Sequence, residues 1–287
     1  MKRRTQIALV VAVVVIGALV IAAGSPREAT PAGDAALHRT PQDPRLINPG
    51  QLTVGTGTPV FPPWMLHDDP ARGEGFENGM IYELAAELGF SRDQVVWERG
   101  LTFEQTIAPG PKPFDFAIRQ ISVTAERQQI VDFSIVYLQP DKAVIALADS
   151  PVVGARSFAD LRRARWGATI GTTDLDYLER ILGIQGAAVF DDQAGTFQAL
   201  QAGLIDATVA ALPSALFVTA VQVPAAQIVA LLPPDPNDNG HGLLFEQGNP
   251  LVEWINEGLQ AIIDRGVVND LINQYLLPEG DIPEISR

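Results

Sequence analysis

The stretch PFDFAIRQISVTAERQQIVDFS, residues 113–134, decides the fold of this chain. Within it, residues 115–118 predict a short buried strand. Polar and charged side chains follow this strand at Arg119, Gln120, Ser122, Thr124 and Arg127. Arginine matches a carboxylate well, because its planar fork donates two parallel hydrogen bonds and stays charged at physiological pH. The stretch therefore predicts a strand that ends at an anion-binding site.

The same stretch resembles the GMTITPER…VDFS segment of the periplasmic (extracellular) solute-binding proteins, family 3, which serve amino-acid ABC transporters. The matching residues are Ser122, Thr124, Glu126, Arg127, Val131, Asp132, Phe133 and Ser134. The resemblance implies that Arg127 grips the carboxylate of a ligand, with help from Ser122 and from backbone N–H groups near Gln120. From the residues alone, an ion pair of Arg127 with Glu126 or Asp132 on a solvated surface is the alternative.

The composition limits the class of protein. With 287 residues, 47% of them hydrophobic, the chain is long enough for one large or two ordinary domains. Its net charge of −14 argues against a surface that gathers nucleic acid or anionic lipid. The absence of cysteine excludes disulfides, thiolate metal sites and cysteine nucleophiles. His67 beside Asp68 and Asp69 is a weak metal-binding pattern, and without a second histidine nearby we expect no metal site. We also expect no cofactor.

The N-terminus has the residue order of an export signal. Basic residues 2–4 precede an apolar run over residues 7–23. The run is long for a signal peptide and slightly short for a spanning helix, so residues 1–25 are either a cleaved signal peptide or an uncleaved anchor. Residues 26–50 are rich in Pro, Ala and Gly and predict a linker. We therefore expect an exported protein, periplasmic or extracellular, that an uncleaved N-terminal helix would tether.

Strands and helices alternate along the first part of the remaining chain. Strands are predicted at 51–55, 95–97 and 142–147, and helices at 80–88, 103–107 and 267–275. A further helix is predicted to begin with a cap at Asn249 and a proline at Pro250. This alternation is typical of a parallel α/β sheet, in which ligands bind beyond the carboxyl ends of the strands.

The loop after the first predicted strand carries two aromatic residues, Phe61 and Trp64, among prolines that fix its backbone. The resemblance implies that an aromatic ring of this loop packs against the ligand, so both residues are candidates for the wall of a cleft. For Trp64, a place in the core under a surface loop is an equally good interpretation of the sequence.

A second anion site is predicted where a strand at 166–170 ends in Gly171, Thr172 and Thr173. Free backbone N–H groups at the start of a helix favour negative charge. The resemblance implies that this turn contacts the same carboxylate from the opposite lobe. An ordinary capping box from Thr173 to Asp176 would need no ligand.

The resemblance implies an α/β fold with two lobes, of the type II periplasmic-binding-protein class, and a hinge of two crossover segments. Lobe 1 would comprise residues 51–141 and 240–277, lobe 2 residues 142–239, and the tail residues 278–287.

One position departs from the family pattern in a way that bears on the ligand. Amino-acid binders usually place an aspartate, which pairs with the ligand's α-ammonium, where this sequence has Ala211. A desolvated ammonium without a counter-ion is costly, which argues against the usual α-amino-acid ligand. Arg119, where family members often have a small polar residue, suggests a ligand of more negative charge, such as a dicarboxylate.

The implied function is the substrate-binding component of an ABC importer, which captures a small carboxylate-bearing solute, a polar amino acid or a related organic acid, by hinge closure. The expected partners are this ligand and an ABC permease in the membrane. No nucleic acid is expected, and we expect a monomer without enzyme activity. Two alternatives stay open. A dehydratase-like enzyme on this fold would need a general acid, for which Glu74, Glu77 and Asp174 are only the nearest acids in sequence; a sensor would bind the ligand without transport.

Overall fold

The computed structural model describes residues 38–276 and 282–285, so the predicted signal peptide or anchor, residues 1–25, lies outside it. The strands are β1 Leu52–Gly55, β2 Val95–Glu98, β3 Phe116–Ala117, β4 Val131–Leu138, β5 Lys142–Leu147, β6 Gly167–Thr169, β7 Ala188–Phe190, β8 Ala207–Ala211, β9 Ala226–Leu231 and β10 His241–Glu246. The α-helices are α1 Phe76–Glu87, α2 Phe103–Ile107, α3 Phe158–Leu161, α4 Thr173–Asp176, α5 Gln193–Gln201, α6 Leu212–Phe217, α7 Val252–Asp264 and α8 Val267–Tyr275. Within the described residues, no helix has the length and apolar character needed to cross a membrane.

Lobe 1 is built on a five-stranded sheet with the order β2-β1-β3-β10-β4. β1 pairs in parallel with β2 and β3, whereas β10 runs antiparallel to β3 and to β4. The predicted parallel arrangement is confirmed for β1, β2 and β3, and the antiparallel β10 makes the sheet as a whole mixed. The reason is that the chain re-enters lobe 1 from lobe 2, and its returning strand inserts between β3 and β4.

Helices α1, α7 and α8 form the core of lobe 1 together with this sheet. The predicted apolar stripe of α1 is buried, and Met80, Ile81 and Leu84 have no exposed surface. The turn that ends α1 includes Gly89, whose φ of 87° is a left-handed conformation that only glycine adopts without strain. Sequence periodicity therefore positions α1 correctly on the sheet.

The start of α7 differs from the sequence prediction. Asn249 and Pro250 were predicted to cap and begin the helix, but it begins at Val252, with Leu251 as the N-cap. Oδ1 of Asn249 accepts a hydrogen bond from the amide of Leu251 (2.8 Å), so this side chain closes a turn before the helix. Helices α2 and α8, by contrast, have the predicted bounds.

Lobe 2 is built on the antiparallel sheet β8-β5-β9. The parallel pair β6-β7 extends this sheet through a bridge between Trp166 and Ala207. In the register of β5 and β8, Lys142 lies opposite Ala211. The first residue of β5 and the last residue of β8 are therefore neighbours on the sheet, next to the first crossover.

Two segments join the lobes between residues 51 and 276. Residues 139–141 lead from β4 to β5, and residues 232–240, the return crossover, lead from β9 to β10. The lobe boundaries given above stay a prediction, although the sheets divide the strands in the same way.

The described part of the predicted linker packs on lobe 1. Leu46 is buried in the core of this lobe, and Arg39 forms ion pairs with Glu253 and Glu257 of α7. Residues 38–50 of the predicted linker therefore cover part of lobe 1. At the other end of the chain, Glu284 in the predicted tail forms a bridge with Leu231 of β9 in lobe 2.

Candidate functional site

A cavity of about 130 Å³ lies between the two lobes. All the residues predicted to bind ligand line it, namely Phe61, Trp64, Arg119, Gln120, Ser122 and Arg127 of lobe 1 and Thr172 and Thr173 of lobe 2. Its lining also includes residues that the sequence analysis did not assign to the site, among them Phe103, Lys142, Thr208, Ser214 and Asp238. Residues from distant parts of the chain thus share one cavity.

Arg127 lies where the lobes meet, and only 8% of its surface is exposed. Its Nη1 donates to the carbonyl of Ser122 (2.7 Å), and its Nη2 donates to the carbonyl of Gly171 in lobe 2 (2.9 Å). The alternative of a solvated ion pair with Glu126 or Asp132 is wrong, because the guanidinium is buried and donates to these carbonyls. Among the described residues, two of its five N–H donors are used in this way, which leaves three for other acceptors.

A cluster of three side chains joins the lobes and the return crossover. Oγ of Ser122 in lobe 1 lies 3.1 Å from Oγ1 of Thr173 in lobe 2. Both hydroxyls lie within hydrogen-bond distance of Oδ2 of Asp238, at 2.9 Å and 3.0 Å respectively. The two hydroxyls predicted to hold a ligand's carboxylate therefore meet a carboxylate of the protein itself.

Lys142 completes this cluster from the first residue of β5. Its Nζ donates to Oγ1 of Thr173 (3.0 Å) and to Asp174 (2.8 Å), and it lies 3.2 Å from Oδ2 of Asp238. Burial opposes the charge of Lys142, but the two carboxylates outweigh burial and raise its pKa. Burial likewise opposes ionisation of Asp238, yet the charge of Lys142 and hydrogen bonds from Gly240 and Ser122 lower the pKa of this carboxyl. Both partners are therefore charged at neutral pH.

Arg119 lines the cavity but is held by lobe 1. Its Nη1 donates to the carbonyl of Leu101 and to the hydroxyl of Thr106, both at 3.0 Å. Its guanidinium carbon lies 5.4 Å from the centre of the Phe103 ring. Burial lowers the pKa of Arg119 to about 10, against the opposing effect of the Glu77 charge, so the side chain is charged at neutral pH.

Gln120 has a backbone φ of 53°, in the left-handed region that is uncommon for residues other than glycine. Its amide donates to Oε1 of Glu77 (2.8 Å), its side chain donates to Oε2, and the hydroxyl of Tyr137 donates to Oε1 (2.6 Å). Burial raises the pKa of Glu77 to about 7 although these hydrogen bonds lower it. Glu77 thus holds the loop that carries Gln120 from behind the cavity wall.

Trp64 satisfies both interpretations of its position. It is 1% exposed and belongs to the core of lobe 1, yet it also lines the cavity. Its Nε1 donates to Oγ of Ser214 in lobe 2 (2.7 Å), a further direct contact across the cleft. Phe61, from the same loop, is partly exposed at the cavity wall.

His241, the first residue of β10, lies against this indole, with ring centres 5.6 Å apart. Burial lowers the pKa of His241 to about 3, so the imidazole is neutral. Within the described part of the chain, its buried Nδ1 has no hydrogen-bond partner.

The turn after β6 differs by one residue from the predicted capping box. Oγ1 of Thr172 accepts from the amide of Leu175 (3.2 Å) and donates to the carbonyl of Thr169 (2.7 Å), so Thr172 is the cap of α4. Thr173 is the first helical residue, and its hydroxyl belongs to the cluster with Ser122. The two threonines therefore have different roles: one fixes the turn and the other faces lobe 1.

The weak metal pattern at His67 has a simpler explanation. Nε2 of His67 lies 3.0 Å from Glu74, and both side chains are largely exposed. Among the residues that the structure describes, no group of three or more His, Cys, Asp or Glu side chains is placed to hold a metal ion.

Sequence reasoning missed Lys142 and Asp238 as members of the site. Lys142 begins the strand predicted at 142–147, and the signal that could have indicated its role is that it is one of only three lysines in the chain and follows a crossover. Asp238 lies in PPDPNDNG, residues 233–240, whose composition predicts a turn and nothing more. Its place beside Ser122 depends on the path of the return crossover, which no local pattern encodes.

Residues 52–278 match the sequence profile of the bacterial extracellular solute-binding proteins, family 3. The chain belongs to this family. It is 29% identical over 164 residues to the L-cystine-binding protein TcyJ of Escherichia coli (strain K12), a match that covers 55% of this chain and 58% of that protein. The match thus spans little more than half of the relative's length.

Solved structures of amino-acid-binding proteins match a larger share of the chain. An ancestral arginine-binding protein bound to arginine matches with a TM-score of 0.66 and 25% identity, over 79% of this chain and 99% of that one. An ancestral amino-acid-binding protein that is a precursor of cyclohexadienyl dehydratase matches with a TM-score of 0.63 and 25% identity, over 79% of this chain and 96% of that one. These likenesses confirm the two-lobe α/β fold predicted from the sequence.

Proposed function

We propose that this family 3 protein is the substrate-binding component of an ABC importer and that it captures a small carboxylate-bearing solute in the cavity between its lobes. The observation that carries the proposal is the convergence of Arg127, Ser122 and Thr173 on one cavity from two lobes. Because a ligand shifts an equilibrium only by binding one state better, donors on both lobes would stabilise the closed form.

The ligand-binding residues of this proposal are the eight that were predicted from the sequence. Arg127 and Ser122 hold the carboxylate from lobe 1, assisted by the loop of Arg119 and Gln120. Thr172 and Thr173 complete the site from lobe 2. Phe61 and Trp64 contact the rest of the solute. The three N–H donors that Arg127 has left over support its role.

The solute class is a small organic acid or a polar amino acid. Relatives described as binding L-cystine and arginine favour an amino acid. Ala211 lines the cavity where the usual counter-ion of an amino group is expected, which favours an acid without an α-amino group. A ligand screen that compares each amino acid with the keto acid or dicarboxylate of the same carbon skeleton decides between an amino-acid ligand and an acid without an amino group.

The test is a thermal-shift screen of the purified full chain against amino acids and against the keto acids and dicarboxylates of the same carbon skeletons. A ligand at a hundred times its Kd should stabilise the protein by about 2.7 kcal/mol, or roughly 5–10 °C in Tm. Arg127→Ala should abolish the shift. Arg165→Ala, which removes an exposed arginine paired with Asp206 in lobe 2, is the matched control and should keep it. No shift with any compound, or a shift that Arg127→Ala leaves intact, would contradict the proposal.

The expected partner is an ABC permease, and the expected location is outside the cytoplasm. Both follow from the family and from the export-like N-terminus, and the protein is expected to act as a monomer. Stimulation of the ATPase activity of the reconstituted permease complex by the ligand-loaded protein tests transport. Ligand binding without any such stimulation would favour the sensor alternative.

An enzyme is the second candidate function, because one similar structure is a precursor of cyclohexadienyl dehydratase. Glu77, with its pKa near 7, is the acid closest to a catalytic range, but it lies behind Gln120. We therefore favour binding without turnover. Mass spectrometry of each stabilising compound after incubation with the protein separates the two functions, since an enzyme would convert its ligand.

A further inference from the structure

Asp238, on the return crossover, presents its carboxylate to the donors of the cleft. Its Oδ2 lies 2.9 Å from Oγ of Ser122, 3.0 Å from Oγ1 of Thr173 and 3.2 Å from Nζ of Lys142. Its Oδ1 accepts from the amide of Gly240 (3.0 Å). An ionised carboxylate has about four acceptor positions, so this carboxylate is close to saturated.

The donors around Asp238 come from parts of the chain that are distant in sequence. Ser122 follows β3 in lobe 1, Thr173 begins α4 in lobe 2, and Lys142 begins β5 next to the first crossover. Three donors that converge on one oxygen from two lobes form a carboxylate-binding arrangement. Asp238 therefore marks the position and the chemistry of a carboxylate subsite in the cleft.

The two charged side chains of this arrangement are largely buried, so each depends on a partner of opposite charge. The side chains of Lys142 and Asp238 are 13% and 12% exposed. A buried charge must be paired, because removing one partner leaves the other desolvated and uncompensated. Lys142 retains a second partner in Asp174 at 2.8 Å, so it would stay charged if Asp238 moved away. The subsite can thus exchange one carboxylate for another without neutralising its lysine.

We propose that Lys142 is a ligand-binding residue, which holds the carboxylate of the solute together with Ser122 and Thr173. Without ligand, the carboxylate of Asp238 occupies this subsite, and the carboxylate of the ligand displaces it. We call this the competitor role of Asp238. The inference rests on the proposed function for the identity of the natural solute, but the subsite itself is defined by the geometry of these four residues. Arg127 donates to the carbonyls of Ser122 and Gly171 beside this subsite and keeps its proposed role, since its remaining N–H donors can bind the same carboxylate.

A different role for Asp238 would be to replace the missing counter-ion at Ala211 and pair with a ligand's amino group. The contacts argue against it, because both oxygens of Asp238 already accept from donors of the protein. An incoming ammonium would have to displace Lys142, so Asp238 would exchange one ion pair for another and the site would gain none. The competitor role needs only that the carboxylate of the ligand takes over existing bonds.

The first test is chemical rescue, which needs no knowledge of the natural solute. Asp238→Ala removes the resident carboxylate, and formate has the size of the group that is lost. We expect formate to raise the Tm of this variant along a saturable curve, whereas sodium chloride at the same ionic strength does not. The wild type, whose subsite is filled by Asp238, should show no such curve.

Two further variants make the rescue specific. In the double variant Asp238→Ala/Lys142→Met the formate effect should disappear, because the buried cation is gone. Asp206→Ala, which removes a carboxylate paired with Arg165 at the surface, should show no formate effect. Absence of a saturable curve in Asp238→Ala, or its survival in the double variant, overturns the proposal.

Asp238→Asn covers the case in which the alanine variant does not fold, because it keeps the shape of the side chain and removes its charge. This variant should bind the carboxylates found in the ligand screen about tenfold more tightly than the wild type, since the resident anion no longer competes. Lys142→Met should weaken them about ten- to a hundredfold. Lys112→Met, at a partly buried lysine outside the cavity lining, is the matched control and should leave Kd unchanged.

The outcomes separate this inference from the proposed function. A formate effect without any ligand in the screen would support the subsite and contradict the importer function. A ligand lost in Arg127→Ala but bound equally by wild type, Asp238→Asn and Lys142→Met would support the function and overturn the subsite. Weaker binding of amino acids by Asp238→Asn would overturn the competitor role in favour of an amino-group partner.

Discussion

Arg127 of lobe 1 donates a hydrogen bond of 2.9 Å to the backbone carbonyl of Gly171 in lobe 2. This bond can exist only while the lobes are together, because its donor and acceptor belong to different lobes. The indole of Trp64 makes a similar contact with Ser214. The described form of the protein is therefore a closed form, held partly by residues that also line the ligand cavity.

Arg127→Ala should shift the protein without ligand toward an open form. Hydrogen bonds from a charged donor contribute about 1.5–3 kcal/mol each, which corresponds to a change of roughly tenfold or more in the ratio of closed to open molecules. The chain has no cysteine, so spin labels can be placed by Val96→Cys in β2 and Val189→Cys in β7, both exposed. Electron–electron distance measurements should show a longer mean distance in the variant.

Arg165→Ala, at a surface ion pair within lobe 2, is the control for this measurement and should leave the distance distribution unchanged. The same distribution in wild type and Arg127→Ala would show that the bond to Gly171 does not contribute to closure.

The contribution of Ala211 to ligand choice is open to a direct test. Ala211 lines the cavity and lies opposite Lys142 in the register of β5 and β8. Ala211→Asp introduces an acid that can pair with the amino group of a ligand, and we expect it to shift preference toward amino acids over their keto-acid counterparts by about tenfold. Isothermal titration calorimetry with an amino acid and its keto-acid counterpart measures this preference, as the Kd of the keto acid divided by the Kd of the amino acid.

Ala211→Asn adds the same volume without the charge and is the control for this substitution. A ratio that rises equally in both variants would assign the effect to shape. A ratio that falls in Ala211→Asp would mean that the new acid pairs with Lys142 instead of the ligand.

Local sequence specifies some helix boundaries of this protein and leaves others ambiguous. Helix α2 has its predicted bounds, because Thr102 and Gln105 form a capping box that local sequence specifies. The start of α7 was predicted two residues early, because the side chain of Asn249 has two uses, cap and turn, that look alike in sequence. Local chemistry thus fixes where helices form, but not always where they begin.

Local sequence motifs indicated some residues of the candidate site but not those placed by the path of the chain. The position of Arg127 and Thr173 at the cavity could be predicted, because each lies in a short motif of residue types that bind anions. Asp238 could not, since its role comes from the course of a loop rich in Pro, Asn and Asp that happens to pass Ser122. The position of β10 between β3 and β4 was missed for a related reason, because strand order in a sheet is set by crossovers and not by residue patterns.

Glu77 should make stability depend on pH in a specific direction. Its pKa is raised to about 7 in the folded protein, mainly by burial, from an ordinary value of 4.5. A raised pKa means that the folded state holds a proton which the unfolded state releases, so this stabilisation is complete below pH 4.5 and is lost as pH rises through 7. Relative to Glu77→Gln, the wild type should lose about 2–3 kcal/mol of unfolding free energy between pH 5 and pH 8.

Urea denaturation of both proteins at the two pH values measures this difference. The comparison cancels the contributions of Asp115, whose pKa is raised to about 6, and of His241, whose pKa is lowered to about 3, since both proteins share them. Equal pH dependence in the two proteins would show that Glu77 is ionised in the folded state throughout this range.

The end of the chain is predicted to contribute to the stability of lobe 2. The amide of Leu231 in β9 donates to the carbonyl of Pro283 (2.7 Å), and the amide of Ile285 donates back to the carbonyl of Leu231 (2.9 Å). Ile285 is 4% exposed and belongs to the core of lobe 2. Its truncation in Ile285→Ala should cost about 2–5 kcal/mol, as for other buried isoleucines, whereas Ile47→Ala, at a side chain 44% exposed, should cost far less.

Hydrogen exchange distinguishes this role from a general loss of stability. The amide of Leu231 has its partner in residues 282–285, so deletion of residues 277–287 should speed its exchange more than that of Val144, a fully buried residue of β5 in the middle of the same sheet.

Since the residue that precedes this segment in the described chain, Leu276, is buried in the core of lobe 1, the segment would connect the lobes in addition to the two crossovers. Deletion should then also lengthen the distance between labels at Val96 and Val189. Exchange at Leu231 that matches the wild type would show that β9 does not depend on the end of the chain.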